Sequence, residues 1–207
     1  MNTSQVVVGI GTDVGKTVVS ALLVKLTGFT YWKPVQAGVF PSTDSERIRQ
    51  LLKGKVQIKK ELHIFNTPAS PHLAASIDGV EIKPNDFLLK KELEGHIIEG
   101  AGGIYVPLNN QGLTYLDVLV MWQLPVVVVS MHYLGSINHT LLTLNSLQQR
   151  NVPIKGIVFV GEENLATESV IQSHFPRLKC HRVNKSSFLN EAFLSEEILR
   201  WKLNENW

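Results

Sequence analysis

The segment Gly9-Ile10-Gly11-Thr12-Asp13-Val14-Gly15-Lys16-Thr17 carries the residue types that bind phosphate. An anion is held by converging backbone N–H groups, by glycines that let the backbone approach, and by a helix N-terminus with its partial positive charge. The segment offers all three, provided that a strand ends near Gly9 and a helix starts near Thr17. Lys16 then reaches the β- and γ-phosphates of a nucleotide, and the Thr17 hydroxyl helps hold Mg²⁺. The loop is a variant, because the common pattern places glycine six residues before the lysine and Ile10 stands there, flanked by Gly9 and Gly11.

Four further groups can contribute chemistry. Glu99-Gly100-Ala101-Gly102-Gly103 puts a carboxylate at a strand end, where it can meet Mg²⁺ while the glycine amides face phosphate or substrate; a flexible turn is the plain alternative. Lys33, followed by Pro34, is either a solvated strand end or a second lysine. A place beside the phosphate-loop strand would let Lys16 and Lys33 stabilise charge at one phosphoryl-transfer centre. Asp44, in Ser42-Thr43-Asp44-Ser45, can cap a helix or add a second acidic group near the metal, and composition does not choose between them. Gly135-Ser136-Ile137-Asn138 opens a helix after a buried strand. Its free amides can receive a carboxylate, although N-capping explains Ser136 equally well.

These groups need elements to position them. Val6-Val7-Val8-Gly9-Ile10 is a β-branched run typical of a strand covered on both faces, and Thr17–Thr27 has a helical apolar stripe that Gly28 can stop. Strand character returns over Thr30–Val35, and a short amphipathic helix is expected over Ser45–Lys53. After a polar middle come a helix over Phe87–Leu93, a strand over His96–Glu99 and a helix over Leu116–Trp122. A strand over Pro125–Met131, a helix over Ile137–Arg150 and a strand over Ile154–Val160 complete the series. Alternation of this kind predicts a three-layer α/β domain, with a mostly parallel sheet, helices on both faces and a ligand site beyond the carboxyl ends of the strands. The whole chain, 1–207, reads as one domain. The tail from Ser186 to Trp207 is helix-prone but has no assigned place.

Composition narrows the function classes. The 207 residues hold 20 Lys+Arg against 18 Asp+Glu, a net charge of +2, which speaks against a dedicated nucleic-acid or membrane-surface binder. Apolar residues at 44% supply a core, and the longest aliphatic run is far short of a membrane span, so a cytoplasmic protein is expected. The one cysteine, Cys180, and the seven scattered histidines lack metal-ligand spacing, and Lys53, Lys55, Lys59 and Lys60 read as a solvated basic face.

Taken together, the chain resembles the dethiobiotin synthetase family of P-loop proteins. The resemblance rests on Gly-x-x-Thr-Asp-Val-Gly-Lys-Thr within Gly9–Thr17, on Tyr31-Trp32-Lys33-Pro34-Val35-Gln36-Ala37-Gly38, and on Ser70-Pro71-His72. Glu99-Gly100-Ala101-Gly102-Gly103 with Val106-Pro107-Leu108, and Leu134-Gly135-Ser136-Ile137-Asn138-His139, complete it. It implies that 7,8-diaminopelargonic acid is carbamated by CO₂, that the carbamate oxygen attacks the γ-phosphate of ATP, and that the second amine closes a ureido ring as phosphate leaves. By matching position it implies catalytic roles for Thr12, Lys16 and Lys33. It implies nucleotide contacts from Asp13, Val14, Gly15, Lys16, Thr17, Val18, Asp44, Glu99, Gly100, Ala101 and Gly102. Mg²⁺ would be held by Thr17, Asp44 and Glu99, and substrate by Lys33, Ala37, Gly135, Ser136 and Asn138, across a homodimer interface.

Three positions differ from the family pattern. Ala37 stands where Ser or Thr is usual, Val160-Gly161 stand where many members carry the Asn-Asp that recognises adenine, and no Gly-x-x-Pro follows residue 175. Two other readings compete. A partitioning or iron-protein ATPase would carry a second lysine where this loop has Gly11-Thr12, or cluster cysteines, and both are absent. A non-catalytic nucleotide sensor would not need Lys16, Thr17, Lys33, Asp44 and Glu99 together.

Overall fold

The strand β1 (Gln5–Gly9) is buried along its whole length, as a Val-Val-Val run with no polar face requires. The computed structural model describes residues 3–88 and 94–203. After the phosphate loop, α1 (Lys16–Thr27) ends at Gly28, whose φ of 73° and N–H bond to the Val24 carbonyl make the left-handed stop expected of a glycine there. Next come β2 (Thr30–Trp32), β3 (Val35–Ala37), α2 (Asp44–Leu51), β4 (Ile58–Lys59), β5 (His63–Phe65) and α3 (Pro71–Ile77). The second half holds β6 (His96–Gly103), α4 (Tyr115–Trp122), β7 (Val126–Met131), α5 (Ser136–Gln149), β8 (Ile154–Val160), α6 (Leu165–His174), β9 (Cys180–Val183) and α7 (Glu191–Leu203).

The main sheet runs β4-β2-β6-β1-β7-β8-β9 with every pairing parallel, and β3 and β5 form a small parallel sheet of their own. Register assigns the faces. Val6, Ile98, Val126 and Trp32 share one face, where Trp32 lies 6.0 Å from Trp122 of α4 and Ser130 bonds Thr140 of α5. Tyr31, Ile97, Val7 and Glu99 share the other face, which α1 covers. The three-layer architecture is therefore as the sequence predicts, and one continuous apolar core joins sheet and helices.

Several boundaries differ from expectation. The strand over Thr30–Val35 breaks at Lys33-Pro34 into β2 and β3, which belong to different sheets; proline has no N–H to continue a ladder. The strand leading to Lys33 is not beside β1, because β6 lies between them. β6 continues through its glycines to Gly103 instead of ending at Glu99. Of the helix expected over Phe87–Leu93, Phe87 closes a short 3-10 turn (Pro84–Phe87) and Leu88 is extended, while 89–93 lie outside the described residues. Within the tail, α7 lies against α1: Leu194 and Ile198 are buried, Glu191 pairs with Lys25 and Lys53, and the Trp201 indole donates to the Arg182 carbonyl on β9.

Candidate active site

Loop geometry explains the glycines. A Cβ on Gly9 would stand 2.6 Å from Val14 and 2.7 Å from the Gly11 carbonyl, and Gly15, at φ 96°, would press one against Val160 at 3.0 Å. Asp13 also adopts a left-handed conformation, with φ 56°. The Lys16 ammonium folds back to donate to the Gly11 carbonyl at 2.7 Å, spanning the loop. Burial pulls its pKa down to about 8, with the carboxylate of Glu99 opposing and the charge of Lys33 assisting.

Next to the loop, side chains from α1, the link between β2 and β3, α2 and β6 meet. The Thr17 hydroxyl lies 2.9 Å from Glu99 Oε1 and 3.1 Å from Asp44 Oδ1, so its single proton is shared between two carboxylates. Lys33 Nζ lies 2.5 Å from Asp44 Oδ2 and 3.2 Å from Glu99 Oε1. Burial alone would lower the pKa of Lys33, but Glu99 and Asp44 outweigh it and raise the pKa above the ordinary lysine value; burial likewise fails to lift Asp44, which Lys33 holds below the usual carboxylate range. Lys33 thus reaches the same centre as Lys16 from just past the end of β2, a strand two places away, through Glu99 on the intervening β6. Asp44 is the first residue of α2, while Thr43 makes the cap in a box with Glu46, so Asp44 is free to face Lys33.

The glycine run of β6 lies over the loop. A Cβ on Gly102, whose φ is 64°, would come 2.5 Å from Val106 and 3.7 Å from the Thr12 hydroxyl, and Gly103 approaches Ile10 and Gly11. Gly100 leaves room for the Tyr115 ring, whose hydroxyl is buried without a hydrogen-bond partner. On the other flank, Gly135 is the N-cap of α5 at φ 100° with no side-chain cap, which places Ser136 inside the helix and excludes N-capping, one of the two readings its position allows. Ser136 is buried, with its N–H donating to the Tyr133 carbonyl at 2.9 Å, and Asn138 is exposed; the amides of Ile137 and Asn138 have no intrahelical acceptor. Tyr133, bonded to His139 Nδ1 at 2.8 Å, places its hydroxyl near the loop, where a Cβ added at Gly11 would lie 3.9 Å from it. Ala37 closes β3 at the edge of the core and Val18 is half-buried in the first turn of α1.

Sequence reasoning missed two positioning side chains. Tyr31, fully buried, donates to Glu99 Oε2 at 2.9 Å. Gln36 accepts from the Asp44 amide at 3.2 Å and donates to the Gly38 carbonyl at 2.8 Å, tying β3 to the start of α2. Both lie inside the Tyr31–Gly38 motif, which was the available signal.

A parallel sheet with a phosphate loop after its central strand, and a carboxylate on the neighbouring strand, defines a P-loop nucleoside-triphosphatase fold. The plasmid partition protein of Borrelia burgdorferi bound to AMPPNP shares it, with a TM-score of 0.56 at 8% identity over 99% of this chain and 100% of that one. So does the ParA family ATPase of Chlorobium tepidum, with a TM-score of 0.50 at 13% identity over 100% and 95%. At such identities the likeness concerns the fold alone. The AAA domain family matches residues 3–184. The chain is 41% identical over 208 aligned residues to the ATP-dependent dethiobiotin synthetases BioD of Brucella ovis and Brucella abortus, covering 100% of this chain and 95% of theirs. The chain belongs to the ATP-dependent dethiobiotin synthetase family.

Proposed function

We propose that the protein is a cytoplasmic, Mg²⁺-dependent dethiobiotin synthetase. It would use ATP to close CO₂ and 7,8-diaminopelargonic acid into the ureido ring of dethiobiotin, releasing ADP and phosphate. The observation that carries this reading is the convergence of Lys33, Asp44, Glu99 and Thr17 beside the loop that holds Lys16. Such a set neutralises and orients phosphoryl groups and supplies no nucleophile of its own, which suits a reaction whose nucleophiles all come from substrate.

Two carboxylates and a hydroxyl fit Mg²⁺, an ion that keeps several waters and takes one or two carboxylates together with substrate phosphates. Among the described residues no group of three or more His, Cys, Asp or Glu gathers as a denser metal site. Thr17, Asp44 and Glu99 would hold the ion, which when bound neutralises charge on the phosphates. Lys16, with the loop amides of Asp13 to Val18, grips the β- and γ-phosphates. Lys33, kept charged by its two carboxylates, faces the developing charge as the carbamate oxygen bonds to the γ-phosphorus and ADP departs. Thr12 and the amides of Gly100 to Gly102 close over the same centre. The substrate carboxylate meets the helix start at Gly135, Ser136 and Asn138, where no side chain caps the helix and the Asn138 N–H has no intrahelical acceptor, while the Ser136 N–H is held by the Tyr133 carbonyl at 2.9 Å.

The exposed face of α5 supports the proposed homodimer. Asn138 and Leu142, four residues apart, share that face; Leu142 is exposed, the preceding Leu134 fully so, and exposed Tyr105 bonds Ser146 of the same helix. A second copy covering this face would border the substrate site, with each whole chain folding as a single domain.

For the base, a cleft of about 600 Å³ opens beyond β8 and β9, lined by Gly161, Glu162, Glu163, Asn184, Lys185 and serines. Val160 itself packs toward Gly15 of the phosphate loop. This mixed polar lining supports modest discrimination among nucleotides. The experiment is dethiobiotin formation from diaminopelargonate, bicarbonate and Mg²⁺ with ATP, CTP, GTP and UTP in parallel. Product with ATP is expected, with the other nucleotides within about tenfold, a difference of roughly 1.4 kcal/mol; no ureido product with any nucleotide overturns the assignment.

A further inference from the structure

The Glu99 carboxylate is 1% exposed, and its two oxygens have different tasks. Oε1 faces the site, taking Thr17 at 2.9 Å and Lys33 at 3.2 Å. Oε2 is turned back into the sheet, where the Tyr31 hydroxyl donates to it at 2.9 Å. This follows from register: Tyr31 pairs with Ile97 on the same face of the sheet, so its ring, leaning along the strand, reaches the residue two places further on. Both partners are buried and Tyr31 has no exposed surface, so water cannot replace the bond.

We propose that Tyr31 is a positioning residue for the reaction: its hydroxyl locks the rotation of the Glu99 carboxylate, keeping Oε1 turned toward Thr17, Lys33 and the metal. Without the hydroxyl, Oε2 is a buried charge-bearing oxygen with no donor, and rotation about the last side-chain bond exchanges the two oxygens between site and sheet. The proposal rests on the reading of Glu99 as a Mg²⁺ ligand.

The test is a double-mutant cycle in which Mn²⁺ stands in for Mg²⁺. Its binding to the full-length protein with a non-hydrolysable ATP analogue is followed by electron paramagnetic resonance, alongside the Mg²⁺ dependence of turnover. Tyr31→Phe is expected to weaken Mn²⁺ binding about tenfold and to shift the Mg²⁺ midpoint equally, leaving KM for the diamine unchanged. Glu99→Gln weakens binding at least as much, and the double variant is no weaker than Glu99→Gln alone. Parent-like binding by Tyr31→Phe beside a weakened Glu99→Gln, or additive losses in the double variant, overturns the positioning role and leaves the metal reading intact. Parent-like binding by Glu99→Gln removes the metal reading, and the proposal with it. Should Tyr31→Phe fail to fold, folding of the double variant supports the proposal, because the hydroxyl then serves the charge of Glu99; failure of both marks Tyr31 as structural and overturns it.

Discussion

Lys33 and Glu99 form a buried ion pair, Nζ to Oε1 at 3.2 Å, between the end of β2 and the strand beside it. Replacing such a pair by apolar residues is often neutral or stabilising, so the pair is weak evidence of a structural purpose. Its geometry suits a site: the ammonium is held by Glu99 and Asp44 at once, within reach of the loop that carries Lys16.

Lys33→Ala is expected to lower kcat by about 10² to 10³ while changing nucleotide affinity little, because its charge is needed chiefly as the phosphoryl group transfers. Steady-state kinetics beside calorimetric titration with ATP separates the two quantities. Losses of equal size in turnover and binding contradict the role.

Gly15→Ala forces a side chain into φ 96° and against Val160 at 3.0 Å. The backbone strain costs about 2 kcal/mol, which for a chain of this size lowers the melting temperature by roughly 4–8 °C. Nucleotide binding should fall with it, since the same peptide opens α1. Scanning calorimetry with and without ATP checks both, and a melting temperature equal to the parent's refutes the strain argument.

Away from the site, Glu168 accepts from Arg182 at 2.6 Å and from His132 Nε2 at 2.9 Å, joining α6 to β9 and to the residue that follows β7. Burial pushes its pKa upward, but Arg182 and His132 outweigh it and hold the carboxyl below its usual value of 4.5. A depressed folded pKa contributes stability that is complete above about 4.5 and lost as pH falls through the folded value. Thermal melts should therefore show Glu168→Gln well below the parent at pH 7, with the gap closing as pH falls below about 4.5. A constant gap rules out the ionised pair as its source.

The proposed dimer predicts that Leu134→Glu, at a fully exposed position, shifts sedimentation toward a monomer and lowers turnover without lowering the melting temperature of the single chain. A dimer of parent strength in that variant excludes this face as the interface.

Much of this centre was legible before the fold. Gly9 to Thr17 announces itself because phosphate binding restricts composition over consecutive residues, and the Val-rich β1, β7 and β8 stand out because both faces are buried. Strand order was not legible: nothing local to Lys33 says that β6 lies between β2 and β1. For the same reason the Tyr31 bond to Glu99, 68 residues apart, left no periodic trace. The short β4 and β5, with two and three residues, are below the length at which alternation can be read. α7 escaped placement because its apolar positions answer to α1, a partner far away in sequence.

The insertion of β6 between two earlier strands has a consequence for synthesis. A nascent chain presents the phosphate loop, Lys33 and Asp44 well before residues 96–103 emerge, and until then β1 and β2 have an open slot between them. Thr17 finds Glu99 across 82 residues only when that slot fills. Engagement of Glu99 by Thr17 and Lys33 therefore reports that the middle of the sheet has closed, a step that precedes the docking of β7 on β1 and of α7 on α1, so the acquisition of ATP binding can time an intermediate long-range step of folding on the ribosome.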